Sequence, residues 1–300
     1  MIIPITNYPV KTLLPLLGVH SAKFYSWRNR KGEENTHNCK LPKENWLLDW
    51  ERDAIIKYAK KHPAEGYRRL TYNMLDEDVA AVSPSSTYRI LKFAGLLNRW
   101  NNVKKSLKGT GFQQPTGIHQ HWHTDIKYVN FKGTFLFLIS VIDGYSRYIV
   151  HHELRQNMQE FDVQITLQTA LEKCLGYKPR IISDNGSQFI SKDFACFLKF
   201  AGLQHIRTSI AYPQSNGKIE RYHRTISEEC LRKTSLINLE DARNQVAEFI
   251  YFYNTKRLHS SLYFLTPEDF LCGRIDERLR LRDEKLLKAK LNRQKARNVA

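Results

Sequence analysis

The sequence predicts an α/β fold in which helical units precede a mixed β-sheet core, and three observations carry that expectation. From about residue 120, three strand-like runs follow one another closely, and shorter apolar strands then alternate with helix-period segments. Before residue 100 the apolar residues recur at helical spacing, broken by Gly and Pro, with no alternating run. Charge is also divided unevenly: Lys and Arg exceed Asp and Glu by 9 over residues 1–110, by only 2 over 111–273, and by 6 over 274–300.

Three hundred residues suit two or three small domains rather than one large core. Hydrophobic residues make up 42% of the chain, enough for packed domains and too many for a disordered one. A net charge of +17 calls for a polyanionic partner. Basic ends can neutralise phosphates while the nearly neutral middle holds the acidic groups. That division fits an enzyme acting on nucleic acid better than a uniformly basic packaging protein. Cys39, Cys174, Cys196, Cys230 and Cys272 are widely spaced and form no Cys-x-x-Cys pair, which argues against a disulfide frame or a Cys-rich zinc site. The apolar run from Leu13 to Val19 is short and interrupted by Pro15. No stretch approaches membrane-spanning length, so a cytoplasmic protein with no membrane partner is expected.

Residues 1–35 form the first expected unit. Two helices over 12–30 meet at Gly18, with Ser21 as N-cap and Phe24 and Trp27 on the packing face. Lys23, Arg28 and Arg30 would be exposed, as on a recognition helix; a small structural hairpin is the competing reading. Residues 31–42 are polar and read as a linker. A second helical unit spans 43–100. Its first helix runs from about Lys43 to Lys61, with Trp46, Leu47, Trp50, Ala54, Ile55 and Tyr58 at helical spacing. A second begins at Gly66 and reaches about Met74, and Ser83-Pro84 caps a third, where proline suits a helix start. Arg68, Arg69, Arg89 and Lys92 would line one side for DNA, unless the unit is a merely solvated bundle. Residues 101–117, with Lys104, Lys105 and Lys108, read as a basic linker.

The core is expected over 118–273. Strands fall at 121–130, 133–142 and 147–154, then a helix at 160–175 with Phe161, Ile165, Leu167, Leu171 and Leu175 as its buried side. A strand at 180–183, a helix at 191–201, a short strand at 204–208, the loop 209–217, and helices at 217–234 and 239–254 complete it. Three antiparallel strands followed by strand–helix alternation is the order of an RNase H-like mixed sheet. The tail 274–300 mixes leucines with basic residues and reads as an amphipathic or frayed helix.

Asp125, Asp184 and Glu220 are the candidate catalytic and metal-binding residues. Asp125 lies within a β-branched and aromatic strand, Asp184 ends Ile181-Ile182-Ser183 and enters an Asn-Gly turn, and Glu220 opens a basic helix after Pro213-Gln214-Ser215-Asn216-Gly217. Ile219, Tyr222, Ile226 and Cys230 form one apolar stripe on that helix; Glu220 and Arg224 lie on another face, with Lys218 and Arg221 flanking. Taken alone, Glu220 and Arg224 could be an ordinary surface pair. Asp143, in Asp-Gly-Tyr-Ser-Arg, reads as a turn residue. His119, His121 and His123 alternate along the strand and could share a face with Asp125, but no second ligand group accompanies them for zinc.

These carboxylates and their flanks resemble the integrase-type DDE transposases of bacterial insertion sequences, whose core is similar to that of retroviral integrases. The resemblance runs from about Gln120 to Gly273 and includes Tyr253-Asn254-Thr255-Lys256-Arg257, His259-Ser260-Ser261-Leu262 and Thr266-Pro267-Glu268. A weaker match covers Leu17 to Trp27 and Gly66 to Leu96, which resemble the helix-turn-helix units preceding such cores. Ser227 stands where the family often carries Lys or Arg, and Arg221 and Arg224 are the nearest substitutes.

The resemblance implies a DNA transposase that binds mobile-element ends, cleaves to expose 3′-hydroxyls and joins them to target DNA. It implies two Mg²⁺ ions, with Mn²⁺ as a substitute, held by Asp125 bridging, Asp184 on one and Glu220 on the other, and separated by about 3.5–4 Å. It also implies double-stranded DNA as partner, at least a dimer, a second helix-turn-helix protein from the same element, and a place at the nucleoid. Lys218, Arg221 and Arg224 are then candidates to hold DNA near the metals. A sequence-specific regulator with a catalytically silent core is the alternative.

Overall fold

The structure, a computed structural model, describes residues 9–32, 46–97, 114–208 and 216–298. Most of the linker expected at 31–42, most of the basic linker at 101–117, Cys39, and residues 209–215 of the loop expected at 209–217 lie outside the described residues. The chain divides into two compact units, Met1–Trp46 with Arg293–Ala300, and Leu47–Asn292.

In the first unit, α1 (Val10–Leu16) and α2 (Ser21–Asn29) match the expected helix pair. Gly18, at φ +63°, ends α1: its N–H donates to Pro15 O at 3.1 Å, and the Val19 N–H to Leu14 O at 3.0 Å. Glycine meets little steric cost in that left-handed position. Ser21 is the first helical residue rather than a side-chain cap. Leu14 is buried, but α2 buries no residue, and Trp27, expected in a packing face, remains 49% exposed.

The second unit opens with three helices, α3 (Asp49–Lys61), α4 (Tyr67–Asp76) and α5 (Pro84–Phe93). Their core gathers Ile55, Tyr58, Leu70, Met74, Val82 and Leu91. Helix α3 starts later than its apolar spacing suggests, because the Glu51 carboxylate accepts the Leu48 N–H at 2.9 Å and fixes the first turn there. Trp46 and Trp50 are consequently exposed, and Ile55, Tyr58 and Ala59 make the buried stripe. Ser83 caps α5 as expected, its Oγ accepting the Ser86 N–H at 3.2 Å.

A five-stranded sheet of order β3-β2-β1-β4-β5 forms the core, from β1 (His121–Phe131), β2 (Thr134–Asp143), β3 (Ile149–Arg155), β4 (Arg180–Ser183) and β5 (His205–Arg207). The first three strands pair antiparallel; β4 runs parallel to β1, and β5 to β4. This is the RNase H-like mixed sheet that the element order predicts. Lys132 and Gly133, both at positive φ, make the two-residue turn between β1 and β2, a conformation that matches strand twist.

Helices cover both faces of the sheet. On one, Val129, Leu136, Leu138 and Ile142 pack against Ile219, Tyr222 and Ile226 of α9 (Gly217–Ile226) and Val246, Ile250 and Tyr253 of α10 (Leu239–Thr255). On the other, Trp122, Val141 and Ile181 meet α6 (Glu160–Lys173), the short α7 (Ser187–Ile190) and α8 (Lys192–Phe200). The buried face of α6 is Val163, Leu167 and Ala170; Phe161 and Leu175, expected inside, are 62% and 82% exposed. The helix expected to run unbroken over 217–234 changes to a π-helix at Ser227–Leu231.

After α10 come a short 3₁₀ turn (Ser260–Leu262), α11 (Pro267–Leu271) and α12 (Ile275–Asn298). Arg282 of α12 is buried, and its guanidinium donates to both Asp76 carboxylate oxygens at 2.9 and 2.7 Å. This part of the tail is therefore tied to α4 rather than frayed.

Candidate active site

The strand period of two places Asp125 on the β1 face that α9 covers, together with His121, His123 and Val129. Its Oδ1 accepts the Ile126 N–H at 2.8 Å, and its Oδ2 lies 3.5 Å from Nδ1 of His223, a buried residue of α9. Asp184 immediately follows β4, which pairs with β1 through His121, Trp122 and His123. Asp184 Oδ1 accepts the Gly186 N–H at 3.0 Å. A Cβ at Gly186 would come within 3.1 Å of that oxygen, so glycine permits the turn to close around the carboxylate. Asn185 anchors the turn from behind, its Nδ2 donating to Thr208 O at 2.8 Å.

Burial, and then the negative charge of Asp125, push the Asp184 carboxyl above its usual range, while the Gly186 N–H opposes the shift. The structure thus brings these two carboxylates into electrostatic contact. Glu220 is exposed, on the turn of α9 that precedes His223. It does not complete a ligand cluster: among the described residues, no three His, Cys, Asp or Glu side chains are arranged to hold a metal ion. The Asp125–Asp184 pair nevertheless fits a hard divalent cation, because oxygen donors whose charges repel each other are stabilised by a cation between them.

The remaining acidic and imidazole groups serve the scaffold. Asp143 is fully buried; it accepts the His119 N–H at 2.9 Å, the Ser146 N–H at 2.7 Å and the Ser146 hydroxyl at 2.6 Å, closing the β2–β3 turn. Burial, reinforced by the nearby Lys218 charge, pushes His123 down to about 3, so it is neutral at working pH. His119 accepts from the Trp122 indole at 3.0 Å.

The expected DNA-contacting residues separate into several settings. Lys23 and Arg28 are exposed on α2, with the Lys23 ammonium 5.0 Å over the Trp27 ring. Arg68 and Arg89 are exposed on α4 and α5. Arg69 instead turns toward Glu229 of the π-helix, at 3.6 Å. Arg221 and Arg224 are exposed on α9 beside Glu220. Lys218 is drawn inward, donating to Gly144 O at 2.8 Å; burial, and then Arg147, push it down to about 7. Ser227 donates to His223 O at 2.7 Å and so supports the helix, with no charge to offer a phosphate.

Sequence reasoning missed His223, which stands within Glu220-Arg221-Tyr222-His223. The available signal was its i+3 spacing from Glu220, which puts both near one face of the helix.

Models described as integrase core domain match residues 115–213 and 201–267, together half of the chain. The chain belongs to the integrase-core family. Among curated relatives of this core, a putative integrase of Spiroplasma virus SpV1-C74 is 25% identical over 73% of this chain and 67% of its own. The transposase for insertion sequence element IS904 of Lactococcus lactis is 27% identical, over 58% and 73%. The putative transposase InsK for insertion sequence element IS150 of Escherichia coli is 22% identical, over 88% and 93%.

Among solved structures, a simian T-cell lymphotropic virus intasome in complex with PP2A regulatory subunit B56 gamma matches with a TM-score of 0.47 and 17% identity, over 72% of this chain and 73% of that one. The HTLV-2 integrase catalytic core domain in complex with magnesium matches with a TM-score of 0.41 and 19% identity, over 52% and 97%.

Proposed function

We infer that this integrase-core protein is a DNA transposase in which Asp125, Asp184 and Glu220 form the catalytic DDE triad. The observation that carries the assignment is the placing of two carboxylates along the paired parallel strands β1 and β4, Asp125 and Asp184 each two residues beyond the His123–Ile182 pair. Glu220 is the third acidic group, one helical turn from the His223 that touches Asp125. No observation favours a regulator with a silent core.

When bound, divalent metal at these carboxylates supplies charge stabilisation for both the attacking and the leaving oxygen of phosphodiester exchange. Asp125 and Asp184 would hold the metal, with Glu220 as the third acidic ligand. His223 lies 3.5 Å from the Asp125 Oδ2 on the helix side and is assigned as a positioning residue. Water attacks a phosphorus at the element end; the new O–P bond forms as the P–O3′ bond breaks, releasing a 3′-hydroxyl and a 5′-phosphate. That hydroxyl then attacks a target phosphodiester, forming one O3′–P bond and breaking another. Two Mg²⁺ ions, with Mn²⁺ able to replace them, are the proposed complement.

Residues 1–35 and 43–100 are proposed to recognise element ends, and Lys23, Arg28, Arg68 and Arg89 to contact their backbone. Holding two ends together requires at least a dimer, and an accessory helix-turn-helix protein from the same element would supplement α2, which has no buried side of its own. No described helix is long and apolar enough to cross a membrane. The test is incubation with element ends, target DNA and Mg²⁺, followed by sequencing of junctions. New 3′-end joints are expected. Cleavage without joints would make the protein a nuclease, and intact DNA would refute the reading.

A further inference from the structure

A cleft of about 550 Å³ opens beside α9, and among the described residues four arginines, Arg69, Arg147, Arg221 and Arg257, line it together with Lys218. Among the described residues, no carboxylate lines it. Glu229 answers Arg257 with bonds of 2.7 and 2.6 Å and approaches Arg69 at 3.6 Å. Arg147 and Arg221 make no ion pair among the described residues. Arg147 is held at φ +64°, a backbone region uncommon for residues with a side chain, and its Nη1 donates to Gly144 O at 2.9 Å. The same carbonyl receives Lys218 at 2.8 Å, so two basic side chains are fixed on one acceptor. Like charges gathered in a partly buried cleft raise its free energy, and a bound anion offsets that cost.

The lining also says which anion. Ser260 and Ser261 present exposed hydroxyls on the cleft, and hydroxyls with arginine forks suit phosphate oxygens. Among the described residues lining it, the one phenol ring, Tyr253, is 3% exposed and so offers no open face for stacking a base. Lys218 and Arg221 stand two residues before and one residue after Glu220 on α9, so the cleft lies along the helix that carries Glu220. Its far side is built from the Arg257 and His259-Ser260-Ser261 segment, which has no part in the carboxylate chemistry.

We propose that this cleft seats a backbone phosphate of the bound DNA, next to the phosphodiester that reacts at the carboxylates. The proposal rests on the transposase reading and names the contact that would align its substrate.

The test is equilibrium binding of the full chain to a short fluorescein-labelled duplex, without divalent metal, over a series of salt concentrations. Replacing Arg147 and Arg221 together by Gln should reduce the slope of log K against log salt by about 0.9, the share of one lost phosphate contact. Ser261→Asp, an exposed change that spares the fold, should weaken binding at low salt at least several-fold. Unchanged slope in the double variant with unchanged affinity in Ser261→Asp would overturn the cleft. Wild-type joining in a parallel Mg²⁺ assay separates the two ideas: joining with unaltered slopes removes the phosphate seat and keeps the transposase, whereas absence of joining bears on the transposase reading alone.

Discussion

At the residue scale the account turns on paired negative charge. Burial and Asp125 raise the Asp184 carboxyl, so the folded protein holds that proton more tightly than the unfolded chain does. Between the ordinary carboxylate pKa and the raised one, stability therefore falls as pH rises. Asp184→Asn should raise the metal-free melting temperature at neutral pH, and this gain should disappear as pH drops into the carboxylate range; thermal melts at several pH values check the sign. The same variant should lose Mg²⁺-dependent joining by about a thousandfold or more in an end-joining assay, as removal of a key electrostatic group does in other enzymes. The carboxylates were legible because each stood in a distinctive flank: a β-branched strand, an Asn-Gly turn, and a basic helix start. His223 was not, because a histidine three residues from a glutamate has many uses, and only the docking of α9 on β1 gives it Asp125 as neighbour.

At the element scale, local chemistry fixed what could be read early. Ser83-Pro84 announced the start of α5, and Ser83→Ala should cost about 1 kcal/mol in urea unfolding, the usual loss for an N-cap. Leu138, fully buried between the sheet and helices α9 and α10, should cost about 2–5 kcal/mol when replaced by Ala, measured the same way. Where several apolar stripes coexisted, periodicity chose badly. On α6 Leu167 is buried as expected, but Phe161 faces outward and Val163 and Ala170 complete the inner face, while Leu175 lies beyond the end of the helix. The π-helical change at Ser227–Leu231 has no pattern in the sequence; it accompanies the turning of Glu229 toward Arg257.

At the scale of the whole molecule, long-range ion pairs join segments far apart in the sequence, and these were illegible. Arg257 meets Glu229 across 28 positions, and Arg282 meets Asp76 across 206. Only folding brings such partners together. With its side chain 5% exposed, Arg282 leaves a desolvated partner behind on truncation, so Arg282→Ala should cost about 3–5 kcal/mol. Arg280, 72% exposed, should give a change within about 1 kcal/mol when replaced by Ala; paired denaturation curves test the contrast. Sheet order, by contrast, was legible, since three antiparallel strands followed by strand–helix alternation admit few arrangements.

The claim on which the rest stands is that Asp125, Asp184 and Glu220 jointly hold divalent metal on DNA. Its most direct test is Mn²⁺ titration of the full chain with bound duplex, read by water-proton relaxation, beside Asp125→Asn, Asp184→Asn and Glu220→Gln. Each substitution should weaken binding by about tenfold or more, at least the effect of losing a residue that merely supports a ligand. Binding by all three variants as tight as that of the unaltered chain would contradict the account.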